Sequence, residues 1–144
     1  AARRKNYLSM LVVTVDQLDA YRQCYGMIDA DNCLKKVASE LKRFARRPGD
    51  IAARYGDDLF YVVLADTGIE NATLVAQNML DNIRSLKLPN DFSKIEPYVT
   101  VSIGVASLIP LPSMFPADLA DKAKKANKVS EKQGHNQVVS FSSI

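Results

Sequence analysis

The stretch IAARYGDDLFYVVL, residues 51–64, decides the fold. Ile51 to Arg54 and Leu59 to Leu64 are short runs of strand character, and Tyr55-Gly56-Asp57-Asp58 between them is a polar turn carrying a glycine. Two such runs across so short a turn pair as an antiparallel hairpin with an exposed tip. A hairpin in mid-chain forces antiparallel pairing at that point, whereas helical segments between strands favour parallel neighbours further out.

Upstream, Leu8 to Val15 (LSMLVVTV) is an apolar, β-branched run that reads as a buried strand. Asp16 is placed to cap a short helix reaching about Cys24, which Gly26 breaks. From Asp29 to Ala45 the apolar residues Cys33, Leu34, Val37, Ala38, Leu41 and Phe44 recur at helical spacing, and Pro48-Gly49 stops that helix. Downstream, Ile69 to about Leu86 repeats the helical period, and a loop with Pro89 and Pro97 follows. Tyr98 to Leu108 reads as a long strand. Pro110, Pro112 and Pro116 then punctuate a loop, Ala117 to about Lys132 forms a last helix, and Gln137 to Phe141 closes as a strand. The expected order is β-α-α-β-β-α-β-α-β: an α/β (α+β) domain with one mixed, centrally antiparallel five-stranded sheet and flanking helices.

The 144 residues suit a single compact domain, and the 47% apolar and 24% charged content is ordinary for a globular chain. No apolar run approaches the ~20 residues of a membrane span, and no secretory leader is read. A net charge of +3 suits a partner carrying a few phosphates better than a nucleic-acid polymer. Cys24 and Cys33 have no metal-ligand neighbours in the sequence and read as the reduced thiols of a cytosolic protein. His135, the single histidine, lies in a polar C-terminal stretch that offers no Ser-His-Asp or Cys-His arrangement. The lysines of the last helix read as a solvated face, and the 6 tyrosines as scattered core edges.

Asp57 and Asp58 at the hairpin tip, with Asp16 just beyond the first strand, bring carboxylates to one sheet edge if those strands are neighbours. Such a set suits Mg²⁺, which takes oxygen ligands shared with substrate phosphates. Taken alone, the two aspartates read first as ordinary turn residues.

Arg54-Tyr55-Gly56-Asp57-Asp58-Leu59-Phe60 resembles the RYGGDEF hairpin of diguanylate cyclases, the GGDEF family. Val13 to Gly26 (VTVDQLDAYRQCYG) resembles that family's DID-x-FK-x-x-ND-x-x-G segment in register, and Asp31 falls on the aspartate of GHxxGD. Tyr98 to Ala106 (YVTVSIGVA) resembles VTxSIGVA, and Gly134-His135-Asn136 resembles the closing GRN. The resemblance implies a nucleotide-cyclase fold akin to polymerase palms. It also implies an activity in which two facing domains each hold one GTP and join them into cyclic di-GMP, with Mg²⁺ polarising the phosphates.

Several working positions of the family differ in this chain. The first aspartate of DID, a metal ligand, is Thr14; the second hairpin glycine is Asp57; the acidic fourth position is Leu59. The guanine-contacting asparagine is Arg22, the phosphate-binding lysine is Glu131, and the arginine of GRN is His135. An anion in place of a cation beside a triphosphate reverses the sign of a large interaction. Lys132, next to Glu131, points about 100° away on a helix. Asp58 keeps the other metal-ligand position and Asp31 the guanine-reading carboxylate, with Arg54, Gly56 and Phe60 also retained. Asp58 and Asp16 are thus vestigial catalytic or metal-ligating candidates, and Arg22, Asp31, Gly56 and Asp57 line a remodelled guanine pocket.

Arg47-Pro48-Gly49-Asp50 resembles the family's RxxD site, where cyclic di-GMP binds as inhibitor. Arginine forks onto a phosphate or a guanine edge, and aspartate accepts from guanine N–H groups. The four residues read equally well as a helix stop and a solvated turn. Asn78 stands where some relatives have a supporting arginine, and Arg84 lies further along.

Three readings follow. The first is a catalytically weak GGDEF domain that binds cyclic di-GMP or another guanine nucleotide and regulates attached sensor or output domains. The second is an active cyclase requiring Mg²⁺ and GTP, and the third is a nucleotide-free dimerisation or interaction module. Mg²⁺ is expected only where GTP binds, a homodimer is compatible with the family's facing domains, and the location is cytosolic, free or membrane-tethered. The chain opens without the family's usual preceding helix motif, so it reads as one domain excised from a longer protein.

Overall fold

The computed structural model describes residues 7–56, 58–91, 93–109 and 116–141. Five strands form one sheet: β1 (Leu8–Val15), β2 (Ile51–Tyr55), β3 (Leu59–Ala65), β4 (Val101–Leu108) and β5 (Val138–Phe141). Four helices accompany them: α1 (Leu18–Tyr25), α2 (Met27–Phe44), α3 (Ile69–Ser85) and α4 (Pro116–Lys132). The spatial order β2-β3-β1-β4-β5 puts the apolar β1 in the centre. It pairs antiparallel with β3 and β4, and only β4–β5, joined by α4, is parallel.

The two-residue period of the strands sorts the core into two layers. Leu11, Val13 and Val15 of β1, Phe60, Val62 and Leu64 of β3, and Val101, Ile103 and Val105 of β4 form one buried cluster. Leu34, Val37 and Leu41 of α2 and Met79, Leu80 and Ile83 of α3 close it, each presenting the helical spacing that gives one apolar face. The alternate residues Val12 and Ala106 meet Leu119 and Ala123 of α4 on the opposite face. There α4 lies so close to the sheet that a Cβ on Gly104 would fall 2.1 Å from the Asn127 amide nitrogen and 2.3 Å from the Ala123 carbonyl oxygen. Thr14 belongs to the same alternate set and therefore faces α4. No helix among the described residues is long and apolar enough to cross a membrane.

The expected order of elements holds, and four local expectations are corrected. Regular pairing of β4 begins at Val101, and Tyr98 makes only an isolated bridge to Pro89. α2 starts directly after Gly26 and ends at Phe44, ahead of Pro48-Gly49. Asp16 does not cap α1: Gln17 takes the cap position in a left-handed conformation with no side-chain cap. The tyrosines are not all scattered, since Tyr21 and Tyr25 lie 4.6 Å apart and Tyr55 and Tyr61 5.5 Å apart between ring centroids.

Candidate functional site

The β2–β3 hairpin carries a candidate site at each end. At the tip, Gly56 adopts φ 72°, a left-handed value that glycine accepts without a Cβ penalty. Arg54 reaches from β2 to both sides of this tip. Its Nε donates to the Gly56 carbonyl at 3.2 Å and its Nη1 to Asp31 Oδ1 at 3.1 Å. Lys35, one turn along α2, lies 3.4 Å from the other Asp31 oxygen. The hydrogen bond from Arg54, then that from Lys35, holds the Asp31 carboxyl below the usual carboxylate range. Arg22 lies 3.8 Å from Asp19 on α1. Asp58 is exposed beside the tip, and Asp57 lies outside the described residues.

Asp16 is 3% exposed and serves as an anchor. Thr100 Oγ1 donates to Oδ2 at 2.8 Å and Ser102 Oγ to Oδ1 at 2.6 Å. The Asn136 backbone N–H donates to Oδ2 at 3.0 Å, and His135 Nδ1 lies 3.1 Å from Oδ1. Gly134, His135 and Asn136 run consecutively at positive φ, so this carboxylate holds an otherwise unfavourable turn in place between α4 and β5. Asp16 is therefore a structural strut, with its oxygens turned to protein donors.

On the α4 face, Thr14 Oγ1 donates to Glu131 Oε2 at 3.1 Å. Asn127 Nδ2 lies 3.2 Å from the same hydroxyl, 3.2 Å from the Val12 carbonyl and 2.9 Å from the Ser102 carbonyl, so a buried amide braces the contact from below. Asp16, Asp19, Asp58, Glu131, Lys94 and His135 contribute to the lining of one cleft of about 440 Å³ between the hairpin tip, α1 and the end of α4.

Magnesium demands near-octahedral oxygen ligation, usually from one or two carboxylates plus phosphates and water. Here Thr14 offers a neutral hydroxyl already directed at Glu131, and Asp16 is committed to its donors. Among the described residues, no group of three or more His, Cys, Asp or Glu side chains is arranged to hold a metal ion. These residues do not fit Mg²⁺ bound to a triphosphate.

At the far end of the hairpin, Asp50 Oδ1 accepts the Ala65 N–H at 2.9 Å and Oδ2 accepts the Arg47 N–H at 3.1 Å. The Arg47 guanidinium donates one Nη2 hydrogen bond to the Ala65 carbonyl at 2.8 Å and is otherwise exposed. Gly49, at φ 89°, makes the intervening turn. The helix-stop-and-turn reading thus describes the backbone, while among the described residues the guanidinium has one hydrogen-bond acceptor for its five N–H donors. Arg84 lies 3.8 Å from Asp81 and shares a separate small cleft with Lys87 and Tyr98.

The structure therefore brings Asp31, Arg54 and Gly56 together, sets Asp58 and Glu131 on a common cleft, and keeps Arg47 and Asp50 apart from both. Sequence reasoning missed Asn127, Thr100 and Ser102. The hydroxyl residues alternating along the strand Tyr98–Ala106 were a usable signal, since a buried hydroxyl needs a partner. Asn127 carried none.

The family model described as diguanylate cyclase, GGDEF domain, matches residues 1–137. The chain is 32% identical over 139 residues to Diguanylate cyclase A of Treponema denticola, covering 96% of this chain and 36% of that protein. It is 29% identical over 134 residues to the probable diguanylate cyclase DgcC of Escherichia coli, covering 88% of this chain and 34% of that protein. It spans about a third of the length of these curated relatives. The GGDEF domain of DgcB from Caulobacter crescentus, solved in complex with c-di-GMP, matches with a TM-score of 0.83 at 24% identity, covering 96% of this chain and 80% of that one. An EAL/GGDEF domain protein from M. capsulatus matches at 30% identity with a TM-score of 0.72, covering 98% and 88%. With the sheet order, the hairpin and these likenesses in agreement, the chain belongs to the GGDEF domain family of diguanylate cyclases.

Proposed function

We propose that this chain is a catalytically weak GGDEF domain that binds cyclic di-GMP and regulates domains attached to it. The observation that carries the reading is the Thr14–Glu131 contact: the cleft presents a braced carboxylate where a cyclase of this family places a lysine for triphosphate. Cyclic di-GMP docks at Arg47, whose guanidinium projects outward to fork onto a phosphate or a guanine edge, with Asp50 shaping the turn beneath it. The Asp31–Arg54 pair, with Gly56 beside it, is a second guanine-reading candidate, to which the resemblance adds Arg22 and Asp57, with Asp58 as a remnant metal-side carboxylate. Single-domain organisation within a longer protein is in keeping with the third of the relatives' length that the chain spans.

The deciding experiment is a calorimetric titration of cyclic di-GMP into the native domain and into Arg47→Ala. Micromolar binding abolished by the substitution supports the Arg47 site, and binding that survives moves the ligand to Asp31. Absence of binding to both proteins sinks the receptor reading and leaves an interaction module. An active cyclase is the second reading, favoured by the 32% identity to a protein named as a diguanylate cyclase. Pyrophosphate release from Mg-GTP at a rate above the protein-free background would establish it.

A further inference from the structure

β2 stands at the end of the sheet, with β3 as its one strand neighbour among the described residues. Every second residue of such an edge strand turns its N–H and C=O away from the sheet, which leaves a row of main-chain donors and acceptors for another strand. Proteins commonly blunt an edge with lysine, proline or a bulge. β2 (IAARY) contains neither lysine nor proline, and it pairs with β3 in unbroken register from Ile51 to Tyr55. Its one charged residue, Arg54, is drawn along the strand to Asp31 and the Gly56 carbonyl. The face of β2 that continues the Leu59, Tyr61 and Val63 row of β3 is apolar. Ile51 is 57% and Tyr55 64% exposed there, with Ala53 exposed between them. α4 packs over β1, β4 and β5, and reaches toward this corner with the Lys124 ammonium, 5.8 Å from the centre of the Tyr61 ring.

The opposite face of β2 has different chemistry. Ala52 packs toward the α2 side of the core, and a groove of about 110 Å³ runs between α2 and β2. Ala38, Leu41, Ala52 and Phe60 give it an apolar floor, and Lys42 and Arg54 also line it. The segment 42–54 that leads from α2 through β2 holds five basic residues, Lys42, Arg43, Arg46, Arg47 and Arg54, against one acid, Asp50. Asp50 accepts the Arg47 and Ala65 N–H groups with its two oxygens, and Arg43 is paired with Glu40, while Lys42, Arg46 and Arg47 are exposed. Pairing β2 with β2 of a second copy would bring two such basic segments together, whereas an acidic strand meets this one with opposite sign. We propose that the open edge of β2 docks an extended acidic segment of a partner protein, which adds to the sheet as a sixth strand. The two-residue alternation of that strand sets its apolar side chains on Ile51, Ala53 and Tyr55 and its carboxylates on the side of Lys42 and Arg54. Main-chain hydrogen bonds supply affinity and the two faces supply selectivity. The short edge makes this a transient contact, at the small end of the range of interface sizes. It is independent of where cyclic di-GMP binds.

The test is an amide-detected NMR titration of this chain, to millimolar peptide, with three probes. They are the acidic peptide Glu-Val-Glu-Val-Glu-Val-Glu, its counterpart with lysine in place of glutamate, and the acidic peptide with its backbone N-methylated. Expected are amide shifts and slowed exchange along residues 51–55 with the acidic peptide. It should bind about tenfold tighter than the lysine peptide, from two exposed charge contacts of opposite rather than like sign, and N-methylation should abolish binding. Ile51→Asp and Lys42→Glu, both at exposed positions, should each weaken the acidic peptide by about threefold or more, with thermal melts showing that both variants stay folded. Absence of shifts along β2, equal binding of the acidic and lysine peptides, or affinity indifferent to both substitutions overturns the proposal. A concentration-dependent dimer in sedimentation, with its own amide shifts on β2, assigns the edge to a second copy and overturns it as well.

Discussion

Removing the Asp16 carboxylate should destabilise the fold far more than its place at the edge of a ligand cleft suggests. The side chain is 3% exposed and gathers Thr100, Ser102, the Asn136 amide and the His135 ring. Hydrogen bonds to a charged acceptor contribute about 1.5–3 kcal/mol each when tested singly, and they are not additive within one network. In Asp16→Ala the Thr100 and Ser102 hydroxyls can rotate to other acceptors, but the Asn136 N–H is fixed by the backbone and left unsatisfied. We expect a loss of about 3–5 kcal/mol, set against the roughly 5–15 kcal/mol total of a domain this size. The melting temperature should fall by roughly 6–20 °C at about 2–4 °C per kcal/mol. Asp16→Asn should lose less, about 1–3 kcal/mol, because one oxygen still accepts. Urea unfolding followed by circular dichroism measures both, and hydrogen exchange at the Asn136 amide reports whether the turn itself has loosened. A loss below about 1 kcal/mol in Asp16→Ala, with Asn136 still protected, would refute the claim that this carboxylate organises the turn.

Three further predictions follow from the same contacts. Gly104→Ala should cost about 3 kcal/mol or prevent folding, because the new Cβ meets helix backbone at 2.1 Å and 2.3 Å; a wild-type urea midpoint would contradict the packing described. Cys33 is 3% exposed, and burial pushes its thiol from an ordinary 9.0 up to about 11. Since the native state keeps its proton where the unfolded chain loses it, the associated stability is complete below pH 9.0 and is lost as pH rises toward about 11. The loss is roughly 2–3 kcal/mol, so unfolding of Cys33→Ala should show a shallower decline over that window than the native protein. Asp50→Ala strips the acceptor from two backbone N–H groups and should cost about 1–2 kcal/mol, whereas Arg47→Ala, at an exposed position whose side chain makes one hydrogen bond among the described residues, should leave the melt within about 0.5 kcal/mol. Parallel thermal melts of the two variants check this and validate Arg47→Ala as a clean binding probe.

Much of the architecture was legible from local chemistry. The alternation in LFYVVLA, the turn at Gly56, the i, i+3, i+4 pattern through Leu34, Val37 and Leu41, and the prolines and glycines between segments each act over a few residues, and each marked its element. The motif spacing likewise carried the family. Boundaries were less legible: α2 ends at Phe44 although Pro48 is the nearest breaker, and β4 starts at Val101 although the β-branched run begins earlier.

The roles of individual site residues depended on partners distant in the chain. Sequence alone named Asp16, Asp31, Arg47, Asp50 and Asp58 as acids and bases worth examining, and marked Thr14 and Glu131 as departures. Only the tertiary structure made Asp16 a buried anchor for residues 135 and 136, joined Asp31 to Arg54, and set Thr14 against Glu131. Strand and helix formation is governed by neighbours a few positions away. Which side chains meet across the sheet is decided by register, by the two-residue alternation that turns Thr14 toward α4, and by the glycine that lets that helix lie against the strands.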